Sequence, residues 1–344
     1  MSKEVFIIAE AGVNHNGSLE TAKKMVDAAA KAGADAVKFQ TFKAEKLVSK
    51  NAQKAEYQKR NMPGTGENQL EMLKRLELSF DDFKDLKEYC DEKGIIFLST
   101  PFDRESADFL DELVPIFKIS SGDVTNLPFL EYVATKKKPI ILSTGMSTLE
   151  EIEKAIDVIQ KYYTHDSGDE HSNLTILHCT TNYPCPYEEA NLRAIRTLRD
   201  VTGLSVGYSD HTLGIEASLA AVAMGARIIE KHFTIDSNMP GPDHKASIEP
   251  DELVRLVNGI RNVEKCMGIS EKKPTKSELS IMKVARKSLV VTRDLAKGET
   301  IREDMFEIKR PGVGIQPSDA AKTIGRELIR DKNKDENLFW EDLK

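Results

Sequence analysis

Two histidines, His211 in SVGYSDH and His232 in RIIEKHFT, each close a short apolar run. Between them Ile215–Ala226 reads as a helix of small residues that allows close packing. If the two runs are neighbouring parallel strands, the imidazoles emerge side by side at one end of a sheet. With water or substrate in the remaining positions they suit Zn, Mn, Fe or Co; the alternative is a pair of hydrogen-bonded core histidines. Lys38 in AVKFQTF and Lys118 in IFKISSGD sit inside apolar strands, where a charge is costly unless paired or functional. Together they form an anion site, with a core salt bridge as the alternative. Three hydroxyl clusters, Ser99-Thr100, Ser120-Ser121-Gly122 and Ser143-Thr144-Gly145, add donors suited to phosphate oxygens. Glu10, Asp123, Glu230 and Asp243 are acid/base candidates, and no GxxxxGK[ST] loop points to a nucleoside triphosphate. A metal polarises a carbonyl or activates water. The combination suits a phosphorylated nucleophile adding to an aldehyde.

These residues need elements to bring them together. Eight runs rich in β-branched and apolar residues recur: VFIIAEAG, AVKFQTF, IIFLSTPF, IFKISSGD, PIILSTG, LTILHCT, SVGYSDH and RIIEKHFT. Near-continuous apolar strands alternating with helical patterns indicate a parallel sheet covered on both faces, and eight such units fit a (β/α)8 TIM barrel. A doubly wound open sheet is the rival, weakened because no GxGxxG follows the first strand. Barrel enzymes collect chemistry at the C-terminal strand ends. There the sequence places Glu10, Asn14 and His15; Lys38 and Gln40; Thr100; Lys118, Ser121 and Asp123; Ser143 and Thr144; Asn182 and Tyr183; Ser209, Asp210 and His211; and Glu230 and His232. Ser18 starts a helix that Gly33 ends, Ser79 caps one that stops at Gly94, and Ser147 caps another with Glu150 in the capping box. Glu249–Met267 is the eighth helix. Lys43–Asn68 reads as a long polar loop, a lid candidate, and HDSGDEHS as a solvated surface loop in which His165 and His171 carry no function.

At 344 residues, 40% hydrophobic and 31% charged, the chain suits a soluble protein of one large domain and one smaller. A net charge of -7 offers no basic stripe for nucleic acid. No apolar run approaches membrane-spanning length and MSKEVFIIAE lacks a signal pattern, so no membrane partner and a cytoplasmic location are expected. Cys90, Cys179, Cys185 and Cys266 form no CxxC; Cys179 and Cys185 are candidate metal ligands but fit better as small buried thiols. The expected domains are a barrel over 1–269, a linker over 270–285 and a β-clip-like unit over 286–344, with a strand at Ser288–Val291 and a further element in FEIKRPGVGI. A unit of that size is marginal alone, which predicts docking on the barrel or on another protomer.

IIAEAGVNHNGS, VKFQTF, FLSTPFD, FKISSGD, ILSTGM, GYSDHTLG, EKHFT, PGPDHKAS and IKRPGVG, in this order and over nearly the whole chain, resemble the sialic acid synthases. The resemblance implies a TIM barrel followed by an antifreeze-like (SAF) domain in a domain-swapped homodimer. It implies a transferase that condenses phosphoenolpyruvate with an N-acetylated hexosamine and water, releasing phosphate by C–O cleavage. It assigns His211 and His232 to a divalent metal, Mn2+ foremost with Mg2+ or Co2+ as alternatives. Lys38, Lys118, Ser121, Ser143 and Ser209 resemble the phosphoenolpyruvate set, and Glu10 the carboxylate that deprotonates water, with Glu230 and Lys118 beside it. Gln40, Thr181, Tyr183 and Asp243 fall to the sugar, and Arg310 resembles the SAF-domain arginine that reaches the partner's site. Two positions depart: Thr181 stands where N-acetylneuraminate synthases carry a sugar-contacting asparagine, and Asp123 replaces the glutamate of an SGE motif. VNHNG, TNLP and TTNYP look closer to synthases of bacterial legionaminic acid, whose acceptor is 2,4-diacetamido-2,4,6-trideoxymannose. N-acetylneuraminate synthase acting on N-acetylmannosamine is the next reading and pseudaminic acid synthase the third. A phosphatase or aldolase on this barrel lacks an aspartyl nucleophile motif. A carbohydrate- or ice-binding module with a degenerate barrel conflicts with the intact Glu10, Lys38, His211 and His232.

Overall fold

A computed structural model describes residues 4–62, 66–163 and 173–344; His165 and His171 lie outside them. The first turns of the barrel run β1 (Phe6–Gly12), α1 (Leu19–Ala32) and β2 (Ala36–Thr41). Three helices then precede the next strand closely, α2 (Ala44–Leu47), α3 (Glu56–Asn61) and α4 (Gln69–Leu76), followed by α5 (Phe80–Lys93). The sequence continues with β3 (Ile96–Pro101), α6 (Arg104–Asp111), β4 (Phe117–Ile119), α7 (Leu127–Ala134), β5 (Ile140–Ser143) and α8 (Leu149–Gln160). It closes with β6 (Leu174–Cys179), α9 (Ala194–Thr202), β7 (Ser205–Asp210), α10 (Glu216–Ala223), β8 (Ile228–His232) and α11 (Pro250–Met267). Past these lie α12 (Glu278–Ala285), β9 (Ser288–Val291) and β10 (Phe306–Lys309).

All eight strands of the large sheet are parallel, in the order β3-β2-β1-β8-β7-β6-β5-β4. β1 thus pairs with β8 as well as β2, and β3 and β4 lie side by side at the ends of the order. That circular sequence is a TIM-like barrel and removes the doubly wound alternative, whose strand order reverses at a switch point. Side chains alternate with period two between the helical jacket and the barrel interior. Ile8, Ala36, Leu98, Ile141, Leu177 and Ile228 form one buried interior layer. Outward residues such as Ile7, Val37, Phe97, Phe117 and Ile229 join the helices in the larger core. Gly207 belongs to the crowded interior: a Cβ there would lie 2.5 Å from the Ile228 carbonyl and 2.5 Å from Leu177 Cδ2.

Capping chemistry sets several helix ends as the residues dictate. Ser18 accepts from Thr21 N–H and Gly33 closes α1 at φ 80°, while Ser79 and Gly94 do the same for α5. At α8 the cap is Thr148 rather than Ser147. Thr148 Oγ1 accepts from Glu151 N–H and Glu151 reaches back, whereas Ser147 Oγ donates to the Gly145 carbonyl. The segment expected as an uninterrupted loop after Lys43 contains α2 and α3. With α4 they enclose an apolar cluster of Val13, Phe42, Ala44, Met62, Met72, Leu73 and Leu76. Before Asn68 the apolar residues are spread too thinly among polar ones to show a period, whereas Leu70, Met72, Leu73 and Leu76 of α4 follow a helical spacing.

The chain divides into two compact units, Met1–Gly268 and Ile269–Lys344. In the second, β9 and β10 pair antiparallel with Leu289 opposite Ile308, above a core that includes Leu289, Val291, Leu295, Ile301, Met305 and Leu338. The stretch 270–285, expected as linker, is helical over α12. No helix among the described residues is long and apolar enough to cross a membrane.

Candidate active site

The same alternation that builds the apolar interior layer lays a polar one above it, two residues further along each strand. Glu10, Lys38, Thr100, Lys118, Ser143, Cys179, Ser209 and Glu230 line one cavity of about 320 Å3, with Gln40, Thr181, His211 and His232 at the next level. Strand register fixes the neighbours: Glu10 lies beside both Lys38 and His232, and Ser209 beside Glu230. The register of β1 shifts between Glu10 and Gly12, a bulge at the point where the strand meets the site.

At the centre two carboxylates and two ammoniums interlock. Lys38 Nζ lies 2.6 Å from Glu10 Oε2 and 3.7 Å from Glu230 Oε2. Lys118 Nζ lies 3.2 Å from Glu230 Oε1. Thr100 Oγ1 accepts from Lys38, Gln40 donates to Glu10, and Ser209 donates to Glu230 at 2.9 Å. All four charged side chains are buried. The structure thus places both lysines in a buried ion-pair network, the alternative reading of the sequence, and on the wall of the cavity. Burial raises the Glu10 carboxyl above its ordinary value, opposed by Lys38 and reinforced by Glu230. For Glu230 burial pushes upward too, but Lys118 and Lys38 outweigh it and hold the group low. Burial lowers Lys118 despite Glu230, while Glu10 and Glu230 overcome burial to raise Lys38. Environments that separate two carboxylates in this way suit one for proton transfer and the other for a fixed charge.

His211 and His232 stand with ring centroids 5.4 Å apart. His211 Nδ1 donates to the Thr180 carbonyl at 2.6 Å, which leaves Nε2 without a proton, while His232 Nδ1 is buried with no hydrogen-bond partner. Burial lowers His211 to about 4, and burial with the neighbouring His211 holds His232 well below its ordinary value. Two neutral imidazoles, one oriented by a backbone carbonyl and one with an orphaned nitrogen, fit a divalent metal. Among the described residues no cluster of three or more His, Cys, Asp or Glu side chains could hold a metal, so further positions would fall to water or substrate. Tyr183 packs over His211 at 4.2 Å and edge-on to His232 at 5.4 Å, and Tyr57 of α3 tilts onto Tyr183 at 5.0 Å.

Within each hydroxyl cluster alternation separates the roles. Ser143 Oγ is buried with no partner and Ser121 Oγ accepts from Gly145 N–H, whereas Thr144 is spent on the Leu177 carbonyl and Ser99 shares a hydrogen bond with Thr41. Thr181 Oγ1, also unpartnered, sits on this side: a Cβ on Gly145 would lie 2.3 Å from it and 3.0 Å from Ser121 Oγ. Asp243 lines the cavity, its carboxyl raised to about 7 by burial and by Glu10. Asp123 instead accepts from Ser120 and Asn126 in a local turn. Asn14 bridges the Phe233 carbonyl and Ser247, and His15 accepts from Gly17 N–H, so both hold backbone. Cys179 touches Ser121 in the cavity wall and Cys185 lies against the Pro186 carbonyl; neither approaches the histidines as part of a metal cluster.

Residues 25–272 match the model of the NeuB family, and residues 286–344 match that of the SAF domain. The chain belongs to the NeuB family, the sialic acid synthases. Among NeuB proteins it is 50% identical over 343 residues to the N,N'-diacetyllegionaminic acid synthase of Legionella pneumophila, covering 99% of this chain and 95% of that one. It is also 50% identical over 335 residues to the enzyme of the same name from Campylobacter jejuni, covering 97% and 98%. The crystal structure of the N-acetylneuraminic acid (sialic acid) synthetase of Leptospira borgpetersenii in complex with citrate aligns at 38% identity. Its TM-score is 0.70, covering 81% of this chain and 90% of that one.

Within this NeuB chain thirteen of the fourteen residues that the resemblance assigns line this cavity, and Arg310 belongs to the second unit, exposed just beyond β10. What sequence reading missed is the wall built by α2–α4, where Leu47, Val48, Tyr57, Gln58, Met72 and Leu76 line the cavity. Two signals were available, the capping box of Asn68 with Glu71 that starts α4 and the helical spacing of Leu70, Leu73 and Leu76 that follows it.

Proposed function

We propose that this protein condenses phosphoenolpyruvate with 2,4-diacetamido-2,4,6-trideoxymannose and water to give N,N'-diacetyllegionaminate and phosphate, in the cytoplasm. The observation that carries the reading is 50% identity across nearly the full chain to two enzymes named for that product. The apolar side chains of Leu47, Val48, Met72 and Leu76 support a deoxy acceptor, because this part of the α2–α4 wall, beside the polar Tyr57 and Gln58, offers no side-chain donor or acceptor to a C6 hydroxyl.

In this reading Lys38 and Lys118 attract the phosphate and carboxylate of phosphoenolpyruvate, and Ser121, Ser143 and Ser209 direct hydroxyls at its oxygens. Gln40, Thr181, Tyr183 and Asp243 enclose the open-chain sugar. His211 and His232 would hold a divalent metal, Mn2+ foremost, that supplies Lewis-acid polarisation of the aldehyde. Phosphoenolpyruvate C3 bonds to sugar C1 as the carbonyl π bond opens onto oxygen, and that oxygen takes up the proton that the attacking water gives up through Glu10 in the next step. Water adds to the resulting cationic C2 and passes a proton to Glu10, whose burial favours the neutral form. Collapse of the tetrahedral centre breaks the C2–O bond, forms the ketone and leaves phosphate beside the two lysines. Glu230, kept ionised, holds both ammoniums toward the cavity. Arg310 is assigned to the N-acetyl group in the partner's site of a domain-swapped homodimer.

Phosphate release measured with three acceptors side by side tests this. The diacetamido-trideoxy sugar should be turned over fastest, ahead of N-acetylmannosamine and the pseudaminic precursor, and EDTA should stop the reaction. Phosphate released equally well without sugar would overturn the condensation, and a preference for N-acetylmannosamine would overturn the choice of acceptor.

A further inference from the structure

Behind the two histidines, on the opposite face of β7 and β8, lies a second buried ion pair. Lys231 Nζ is 3.0 Å from Asp210 Oδ2, and both side chains are 0% exposed. The two residues are register partners across β7 and β8. Asp210 directly precedes His211 and Lys231 directly precedes His232, so by strand alternation the pair points outward where the imidazoles point in.

The contacts of this pair converge on the backbone around His211. Asp210 Oδ1 accepts from Thr212 N–H at 2.9 Å and from Thr212 Oγ1 at 2.8 Å. Lys231 Nζ donates to the Thr212 carbonyl at 2.5 Å, and Ser218 Oγ at the start of α10 donates to Asp210 Oδ2 at 2.6 Å. Residues 210 and 212, on either side of His211, are therefore both fixed by the side chain that precedes His232. Burying two charges costs several kcal/mol per ion before pairing, and an apolar pair of similar volume serves stability as well or better. Stability alone does not account for charges in this place.

The structure assigns Asp210 and Lys231 as positioning residues that set the separation of His211 and His232 for a shared divalent cation. This rests on the reading of the two histidines as metal ligands. Removing groups that orient metal ligands weakens affinity by about 10- to 100-fold.

The test titrates Mn2+ into the full-length chain, following free Mn2+ by electron paramagnetic resonance, with phosphoenolpyruvate affinity and Tm measured alongside. Asp210→Asn/Lys231→Met removes both charges with little change of volume. The expected result is Mn2+ binding weakened by about tenfold or more, with phosphoenolpyruvate binding unchanged and Tm close to that of the unaltered chain. Unchanged Mn2+ affinity, whatever happens to Tm, overturns the proposal and leaves the metal reading standing. If the unaltered chain binds no Mn2+, the metal reading falls and the proposal with it. Should the double variant not fold, Ser218→Ala removes one hydrogen bond to Asp210 without touching charge. A severalfold loss of Mn2+ affinity in it supports the positioning role, and no loss overturns it.

Discussion

Glu10 and Glu230 reach one ammonium from two strands, with Lys38 Nζ 2.6 Å from the first carboxylate and 3.7 Å from the second. Only Glu230 has a second cation, Lys118, at 3.2 Å. That asymmetry separates the two acids, and it predicts two different mutant phenotypes. Glu10→Gln keeps the shape and removes the base, so kcat should fall by about 10²–10⁴-fold while the phosphoenolpyruvate KM changes little. Glu230→Gln takes from Lys118 its ion-pair partner and from Lys38 its second, whereas Glu10→Gln still leaves Lys38 facing Glu230, and losing one partner of a buried pair costs about 3–5 kcal/mol. It should therefore appear first in urea denaturation. Steady-state kinetics and unfolding measured on both variants check the split, and equal kcat losses with equal stabilities would remove it.

Removal of metal should abolish turnover without unfolding the barrel, because the two histidines stand at the cavity rather than in the apolar core. Treatment with EDTA followed by Mn2+ or Co2+ should restore phosphate release, while His211→Ala and His232→Ala should not respond. Circular dichroism identical before and after chelation checks the structural half of this statement.

The apolar wall gives a selectivity prediction. Val48 is half-buried at the cavity rim, and Val48→Thr is nearly isosteric while adding a hydroxyl. The ratio of kcat/KM for the 6-deoxy over the 6-hydroxy acceptor should fall by about tenfold, the range that a single group in an apolar pocket governs. An unchanged ratio would place the C6 substituent elsewhere.

Much of this site was legible because a parallel barrel converts linear order into geometry. One polar residue per strand end, such as Lys38, Lys118 or Glu230, stands out against apolar neighbours, and a period of two puts it in the cavity. The eight strands and their ring closure followed from the same pattern. Pairing was not legible, since nothing in the sequence says that Lys38 meets Glu10 rather than a ligand. Nor was the part of the wall from α2 and α3, where Leu47 and Tyr57 come from helices of four and six residues, too short to show a hydrophobic period. The shift of the α8 cap from Ser147 to Thr148 has a different cause. Adjacent hydroxyls are equal candidates until the backbone chooses which one faces the first free N–H groups.

Acid should destabilise the folded chain through its buried histidines. His15, His211 and His244 are each lowered to about 4 from an ordinary 6.5, in every case chiefly by burial. Between these values the unfolded chain binds protons that the folded one refuses. Stability is therefore complete above about pH 6.5 and falls toward pH 4, by up to about 1.4 kcal/mol per pH unit for each group. Asp243, raised to about 7 by burial and by Glu10, works in the opposite direction. Its folded form retains a proton that the unfolded chain has lost, so it favours the folded state more as pH drops from 7 toward 4. Asp243→Asn should remove that compensation and steepen the acid loss. Urea midpoints at pH 7, 6 and 5 for the unaltered chain and this variant would show it, and parallel pH profiles would contradict it.

Gly207 carries the last prediction, and it concerns the barrel rather than the chemistry. Its Cα faces the packed interior layer, where a Cβ would meet the Ile228 carbonyl and Leu177 Cδ2, each at 2.5 Å. The leucine can rotate, but the carbonyl belongs to the β8 backbone and cannot move without shifting the strand that ends in Glu230 and His232. Gly207→Ala should cost about 1–3 kcal/mol, the usual penalty for overpacking. Because the displaced strand carries site residues, activity per folded molecule should fall as well. Thermal denaturation and specific activity of the purified variant test both halves. A variant as stable and active as the unaltered chain would mean that β7 and β8 can separate without disturbing the site.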